Sequence, residues 1–384
     1  MFPEMAVIQQ IHLSSRKEVR DFLHLPYRLH RSTPQWVPPL QADIRQMLDP
    51  RRHPFYRHSQ AAFFLARRQA HQPPVARLAV LIHRPYNQHN HEQTAFFYLF
   101  EAEDDTESVR QLFSAGEQWA IEQGANRMFG PKGFTPFDAM GLLVKGFEHR
   151  PAFGIHYNPP YYAALLESCG YQPGEDILSG YLSGSAEFPP QIHQIAEKVM
   201  QKRGFQVAQL RSRADLRRLI PRLSEMYNRA IMDTPGNAPI DSAEIEAILR
   251  QVLFFADLKL VKILLKGDQP VGFLLAYPDI SAALQRSGGR MWPLGWLDWW
   301  IELKRTPWLN INGMGIVEEY RGLGGTAILF SEMHKSIRSG RFKHVEIVQI
   351  GAENERMLRE LRDLGVDFYK VHRLYHKQIT AHLV

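Results

Sequence analysis

The chain has 384 residues, enough for two domains at roughly 100–200 residues each. Hydrophobic residues make up 45% of it and charged residues 22%, as in ordinary globular proteins, and the formal net charge is +6. Arginine pairs are scattered and no nucleic-acid motif accompanies them, so we predict no nucleic-acid partner; a small anionic ligand explains the charge equally well. We find no apolar run near the ~20 residues of a membrane span and no signal-peptide pattern. The single cysteine, Cys169, excludes an internal disulfide, and we predict a cytoplasmic protein.

The sequence pattern of the first half predicts an antiparallel meander followed by a helix, a strand, a helix and a strand. Prolines interrupt the tract before residue 58, and polar turn-forming segments separate the meander strands. The predicted helices are 17–24, 106–122 and a segment from Tyr157 to Gly170, and the predicted strands are 61–67, 75–83, 94–100, 127–130 and 177–183.

The second half repeats this order after a linker at Gly184–Pro190. Its predicted helices are 213–232, 242–254, 326–337 and 354–364, and its predicted strands are 206–210, 258–265, 270–277, 309–317, 345–350 and 367–377. We therefore predict an α/β (α+β) protein with two copies of one fold, each a mixed, mostly antiparallel sheet flanked by helices. The predicted boundaries are 1–185, a linker region at 186–204, and 205–384.

A glycine-rich turn, Arg321-Gly322-Leu323-Gly324-Gly325-Thr326, joins a strand to a helix in the second half. Glycines allow a tight turn whose backbone N–H groups, with the positive end of the helix dipole, converge on one point that suits a pyrophosphate. Arg321 would add a fixed positive charge. A turn without a ligand is the alternative. The sequence matches neither the Walker pattern nor the dinucleotide fingerprint.

This turn, followed by a helix, a strand, Glu353-Asn354 and a helix ending in Leu364-Gly365, resembles the GCN5-related N-acetyltransferase (GNAT) superfamily. The whole chain further resembles a bacterial double-domain group of that superfamily. The segments that carry this second resemblance are Leu25-Pro26-Tyr27-Arg28, Trp36-Val37-Pro38-Pro39, His53-Pro54-Phe55-Tyr56, Gly146-Phe147 and Tyr157-Asn158-Pro159-Pro160-Tyr161-Tyr162.

The resemblance implies acetyl-CoA or another acyl-CoA as cofactor, held by the second half, and no metal. It also implies a closing strand that completes the sheet. Two positions depart from the usual pattern: Thr326 stands where Gly or Ala is common, and Leu361 stands where many members carry a tyrosine general acid. The implied cofactor-binding residues are Gly315, Ile316, Val317, Arg321, Gly322, Leu323, Gly324, Gly325, Thr326 and Asn354.

The candidate catalytic residues are Glu319, Tyr369 and Tyr375. Acylation of an amine requires a base, because an ammonium must lose a proton before it attacks, and Glu319 follows the strand beside the expected thioester. Tyr369 and Tyr375 could replace the acid missing at Leu361. The alternatives are a solvated loop for the glutamate and sheet packing for the tyrosines.

In the first half, Glu101-Ala102-Glu103-Asp104-Asp105 stands where the second half has its glycine turn, and these carboxylates would repel a pyrophosphate. We therefore predict a scaffold or substrate-side role for this half. Tyr157, Asn158, Tyr161 and Tyr162 would line a shared cleft, with a helix cap and packing tyrosines as the alternative.

Residues 279–306 form a tryptophan-rich insertion in which helical spacing places Trp296, Trp299 and Trp300 on one face. Three interpretations stay open: a domain interface, a pocket for an apolar acyl chain or substrate, and peripheral contact with a membrane beside Lys304-Arg305. His89 and His91 lie in a polar loop without further metal ligands.

The leading hypothesis is an acyltransferase that moves an acetyl or longer acyl group from acyl-CoA to a small-molecule amine acceptor. The rival is a catalytically silent ligand-binding protein with the same fold. Thr326 and Leu361 favour the rival, whereas Arg321, Gly322, Gly324 and Asn354 favour the enzyme.

Overall fold

The computed structural model describes residues 6–231, 237–241, 244–246 and 257–380. In the first half it contains seven strands and five helices: β1 (Val7–Gln10), α1 (Arg16–Leu29), α2 (Gln41–Met47), β2 (Gln60–Arg67), β3 (Ala76–Ile82), α3 (Arg84–Asn90), β4 (Thr94–Ala102), α4 (Thr106–Glu122), β5 (Arg127–Gly130), β6 (Leu142–Lys145), α5 (Tyr162–Ser168) and β7 (Gln172–Ser183).

The described part of the second half repeats the pattern with an added pair of helices. Residues 244–246 are helical, and the rest of the helix expected at 242–254 lies outside the described residues. The elements are α6 (Pro190–Arg203), β8 (Phe205–Val207), α7 (Arg213–Ile231), β9 (Val261–Lys266), β10 (Gln269–Pro278), α8 (Ser281–Ser287), α9 (Gly295–Arg305), β11 (Trp308–Ile316), α10 (Gly325–Arg338), β12 (His344–Gly351), α11 (Glu355–Asp363) and β13 (Asp367–Gln378).

Two segments differ from the sequence-based expectation. Residues 84–90 form α3 where a polar turn was expected, because the His83 side chain accepts a hydrogen bond from the Tyr86 N–H (3.2 Å) and Pro85 occupies the first turn. Residues 190–203, inside the predicted linker region, form α6. This helix packs on α10 and buries Ala196.

The described strands form one continuous sheet that runs through both halves. Adjacent pairs are antiparallel except β4–β5 and β11–β12, which are parallel. The strand order is β1-β2-β3-β4-β5-β13-β7-β12-β11-β10-β9-β8, with β6 paired to β13.

The two halves exchange their final strands. The last strand of the chain, β13, lies between β5 and β7, where Tyr375 pairs with Gly130 and Val371 pairs with Leu178. In turn, β7 pairs with β12 of the second half. The resemblance implies a closing strand that completes the sheet, and β13 completes the sheet of the first half.

Two features of the exchanged strands fix this arrangement. At Gly180 of β7, a Cβ atom would lie 2.4 Å from a methyl group of Val366, so only glycine permits the close approach. Across β7, the Lys370 ammonium lies 2.6 Å from the Glu346 carboxylate and also donates to the Arg150 carbonyl (2.8 Å). Both side chains of the ion pair are at most 3% exposed. Because an unpaired charge at this depth is costly, the pair holds β13 to β12.

Candidate active site between the two halves

The parallel strands β11 and β12 separate halfway along their length. Their ladder runs from Trp308–His344 to Ile311–Ile347 and ends there, although both strands continue. On its other side, β11 carries one extra residue between the pairs Ala276–Ile311 and Leu274–Met314. This bulge contains Gly313, whose φ of +102° suits glycine. The separation opens a gap beside the residues that precede the glycine turn.

The glycine turn follows β11 as the sequence predicts. A short helical turn at Glu318–Tyr320 leads to Gly322 (φ +73°) and Gly324 (φ +94°), and α10 begins at Gly325. Within the described part of the chain, the backbone N–H groups of residues 322–326 have no protein acceptor. Because they stand at the positive end of a 14-residue helix, the turn has the physical properties of an anion site.

Arg321 also has a structural role at this turn. Its guanidinium donates to the Ile316 carbonyl (3.0 Å) and to the Ala230 carbonyl (2.9 Å), joining the end of α7 to the end of β11. On the other side, α6 packs against the turn, where Val199 lies close to Gly324 and Arg203 donates to the Leu323 carbonyl (3.0 Å). The turn is therefore held in place from two sides.

Val317, Asn354 and Thr326 are three further implied cofactor residues. The Val317 N–H donates to the Val271 carbonyl (2.9 Å). Asn354 is exposed and caps α11 by accepting from the Met357 N–H (3.2 Å). Thr326 lies half-buried in the first turn of α10. Leu361 is buried in the core of the second half, so the position implied for a tyrosine acid is filled by packing.

The three candidate catalytic residues lie apart. Glu319 is exposed and paired with Arg229. Tyr369 is half-buried next to Glu346, and burial, reinforced by that carboxylate, raises the pKa of its hydroxyl. Tyr375 is buried in the first-half core because the strand exchange carries it there, and burial raises its pKa. The structure does not bring these three residues together.

A cavity of about 430 Å³ lies between the two halves. The first half contributes the segment from Trp36 to Met47, the bulged part of β4 and the loop after β5. The second half contributes β10, the helices α8 and α9, and Asn312 of β11. The cavity therefore extends to the place where β11 and β12 separate. Its volume falls in the ~300–1,000 Å³ range of small-molecule sites.

Several segments that carry the double-domain resemblance meet at this cavity. Residues 36–39, His53, Pro54, Tyr157 and Asn158 all line it. The Tyr157 hydroxyl donates to the Phe147 carbonyl (3.0 Å). The Asn158 side chain bonds both the Leu143 N–H (2.7 Å) and the Leu143 carbonyl (3.1 Å), so it also shapes the wall.

Three residues expected to bind substrate are placed elsewhere. Tyr161 packs against the first-half core and donates to the Ala102 carbonyl (2.8 Å). Trp299 is buried beside Leu40 and Leu284, and Trp296 is exposed. None of the three is among the described residues that line the cavity.

Sequence reasoning missed the titratable side chains in the cavity wall. Burial raises the pKa of Asp43 and of Asp138 to about 6, and it lowers the pKa of His156 to about 4. Asp138 accepts from the Thr135 N–H (2.8 Å), and His156 lies 3.2 Å from the Tyr98 hydroxyl. The turn Thr135-Pro136-Phe137-Asp138 is recognisable in the sequence, but its enclosure depends on distant segments.

The acidic segment at the end of β4 is tied to basic side chains. Glu101 is 2.8 Å from His30, and Glu103 pairs with Arg28 (2.7 Å) and Arg68 (2.8 Å). Asp105 caps α4 by accepting from the Ser108 N–H (3.1 Å). The Asp105 carboxylate thus occupies the N-terminal end of this helix.

One group of metal-ligand type occurs among the described residues. His58, Asp241 and Glu244 have ligand atoms within 4.8 Å of one another, and His58 Nε2 is 3.0 Å from a Glu244 oxygen. Among the described helices, none combines the length and apolar character needed to cross a membrane.

Comparison with solved structures confirms the predicted fold. A tandem GNAT protein from the clavulanic acid biosynthesis pathway superimposes with a TM-score of 0.56 over 98% of this chain and 99% of that chain, at 11% identity. A GCN5-related N-acetyltransferase from Sphaerobacter thermophilus gives a TM-score of 0.51 over 100% of this chain and 98% of that chain, at 13% identity. The protein thus has a tandem GNAT fold.

Two curated proteins are similar along nearly the whole chain. A protein named bacterial ceramide synthase from Caulobacter vibrioides is 26% identical over 97% of this chain and 98% of its own length. Protein YghO from Escherichia coli is 24% identical over 95% of this chain and 94% of its own length. No family model matches the sequence.

Proposed function

We propose that the protein is an acyltransferase that moves an acyl group from acyl-CoA to an amine with an apolar substituent. The observation that carries this proposal is the cavity between the halves, which extends to Asn312 where β11 and β12 separate. Residues 205–384 would hold the acyl-CoA, with the pyrophosphate at the unbonded N–H groups of the glycine turn. Residues 1–185 would supply most of the wall around the acceptor.

The lining favours an apolar acceptor or acyl chain. Side chains such as Val37, Leu40, Ile44 and Phe153 share the wall with few charged groups. The name of the Caulobacter relative supports this choice, because a ceramide is a long-chain amino alcohol acylated on nitrogen. We therefore propose a long-chain amine as acceptor.

Asp138 is our candidate for the general base. Burial raises its carboxyl pKa to about 6, close to the value at which a carboxylate at neutral pH is both ionised and basic enough to take a proton. It would accept one proton from the substrate ammonium. The neutral nitrogen would then attack the thioester carbonyl, forming the C–N bond and breaking the C–S bond, and its second proton would go to the sulfur.

Glu319 stays an alternative base and Tyr369 an alternative proton donor. Glu319 lies outside the cavity wall as described and is neutralised by Arg229, which favours Asp138. Tyr369 keeps its proton because burial and Glu346 raise its pKa. Tyr375 would have to act from within the first-half core.

The experiment is release of free thiol from acetyl-CoA and palmitoyl-CoA, each with a short amine and with a long-chain amino alcohol. We expect turnover with the long-chain acceptor. Calorimetry with each acyl-CoA is the companion measurement. Absence of binding at millimolar ligand would reject the proposal and also its rival.

The rival is a silent acyl-CoA-binding protein. The buried Leu361 favours it, because the usual tyrosine acid is missing. Tight acyl-CoA binding without thiol release, across the whole amine panel, would establish the rival.

A further inference from the structure

Exposed large apolar side chains concentrate on one short segment. Among the described residues, five exposed large apolar side chains lie between 292 and 300. Outside this segment, the exposed large apolar side chains are those of Val7 and Ile195. Trp292 is 78% exposed and Leu294 is 69% exposed. An apolar cluster of this kind usually marks a contact surface. We call residues 292–305 the tryptophan surface; its exposed apolar members are Trp292, Leu294, Trp296, Leu297 and Trp300.

The tryptophan surface rests on a fixed support. Trp299, on the inner side of α9, is buried with Leu40, Ile280 and Leu284. Arg286 of α8 binds both acidic side chains of α9, at 2.8 Å to Asp298 and 2.6 Å to Glu302. The outward tryptophans are therefore held by a packed helix pair whose acidic groups are already neutralised.

Basic side chains flank the apolar cluster. Arg290, Lys304 and Arg305 are exposed, and in the described part of the chain none of them contacts a carboxylate. The Lys304 ammonium lies 3.7 Å from the centre of the Trp300 ring. Tryptophan and cations together suit the level of lipid headgroups, where indole rings meet the acyl chains and cations meet anionic headgroups.

The same helix pair forms part of the cavity wall. Ile280, which precedes α8, Leu284 of α8 and Leu303 of α9 line the cavity, whereas none of the exposed tryptophans of the tryptophan surface does. One helix pair thus separates the cavity from the tryptophan surface. A surface that docks on a membrane at this place would put the cavity within one helix layer of the lipid.

We propose that the tryptophan surface docks the protein peripherally on an anionic bilayer. The apolar cluster enters the interfacial zone, and Arg290, Lys304 and Arg305 meet the headgroups. This docking depends on the surface alone and holds whether or not the cavity performs acyl transfer. A second copy of the chain would cover the apolar cluster but gives no role to the three cations.

The test is co-sedimentation of the full chain with vesicles of phosphatidylcholine alone and with added phosphatidylglycerol. We expect binding to the anionic vesicles that weakens with salt. The triple substitution W292A/W296A/W300A should weaken it at least about tenfold. The triple substitution R290Q/K304Q/R305Q should weaken it about 100-fold at low salt, at roughly fivefold for each cation.

The matched control is V7A/I195A, which removes the two exposed apolar side chains outside the tryptophan surface and should leave vesicle binding unchanged. Circular dichroism confirms that each variant is folded. The proposal is overturned if folded parent protein does not bind anionic vesicles, or if the tryptophan variant binds as tightly as the parent. It is also overturned if sedimentation velocity shows a dimer that W292A/W296A/W300A dissociates and that excludes vesicles.

Discussion

The turn after β4 and the turn after β11 begin alike and end differently. Each follows a strand with a bulge, and each strand pairs with its parallel neighbour over only part of its length, β4 with β5 and β11 with β12. The bulge of β4 contains Leu99 with a φ of +50°, and the bulge of β11 contains Gly313 with a φ of +102°. In the first half the strand runs into an acidic segment whose Asp105 caps the helix. In the second half a glycine turn leaves backbone N–H groups without a protein acceptor in the described chain.

The two turns therefore differ in which groups surround the helix N-terminus. At a helix N-terminus, a side-chain carboxylate of the protein accepts hydrogen bonds from the backbone N–H groups and occupies the position that an external anion would need. Glycines have no side chain that could accept these hydrogen bonds, so the N–H groups could bind an anionic ligand. The first half, which carries the acidic segment, supplies most of the cavity wall, including both aspartates whose pKa is raised to about 6.

Among these variants, Asp138→Asn should reduce turnover most. If the first half supplies the base, kcat should fall by ~10²–10⁴ while the Kd for acyl-CoA stays unchanged. In the parent, kcat/KM should rise with pH up to about 6, where the carboxyl loses its proton, and then level off. The variant should lack this rise.

Stability gives the control for that variant. Because burial raises the carboxyl pKa from 3.8 to about 6, the protonated form is favoured in the fold, and this contribution is lost as the pH rises through 6. Asp138→Asn should therefore have a Tm at pH 7 no lower than the parent. Glu319→Gln is the matched comparison. If Glu319→Gln lowers kcat more than Asp138→Asn does, the general base is Glu319 of the second half and the proposal for Asp138 is wrong.

The next prediction concerns the exchanged strands, which join the two halves in one sheet. Glu346→Ala leaves the buried Lys370 ammonium without its carboxylate and should lower the free energy of unfolding by about 3–5 kcal/mol. The double variant Glu346→Met/Lys370→Met removes both charges and should recover most of the loss. Urea unfolding of the two variants checks this, and an additive loss in the double variant would contradict it.

Acyl-CoA binding should respond to the space around the glycine turn. A Cβ at Gly324 would lie 2.6 Å from Val199, whereas at Gly322 it would meet nothing within 4 Å, and both residues have positive φ. Gly324→Ala should weaken acyl-CoA binding about 100-fold by displacing the N–H groups, and Gly322→Ala much less. Calorimetry compares them. Adding Val199→Ala to Gly324→Ala should restore part of the affinity, and failure to do so would mean that backbone strain alone is responsible.

Local signals in the sequence were sufficient for most elements but not for the site. A run rich in aromatic residues predicted β4, and periodic apolar residues predicted α4 over the residues it occupies, 106–122. The sequence could not predict the strand exchange, because the alternation of buried and exposed residues in β13 is the same whichever strand it pairs with. The cavity joins residues near 40, 138, 156 and 276, and the shifted pKa values arise from that enclosure, which no local pattern encodes.

The smallest effect tests the acidic turn itself. Asp105→Ala removes the cap on the Ser108 N–H and the contact with Arg68 (3.1 Å), so it should cost about 1 kcal/mol of stability. It should leave acyl-CoA affinity unchanged, with one cofactor bound per chain, because Glu101 and Glu103 still occupy the strand end and their basic partners stay in place. Isothermal titration calorimetry measures the number of acyl-CoA molecules bound per chain. A second acyl-CoA bound by the variant would show that a single capping carboxylate, rather than the whole acidic segment, separates the two halves.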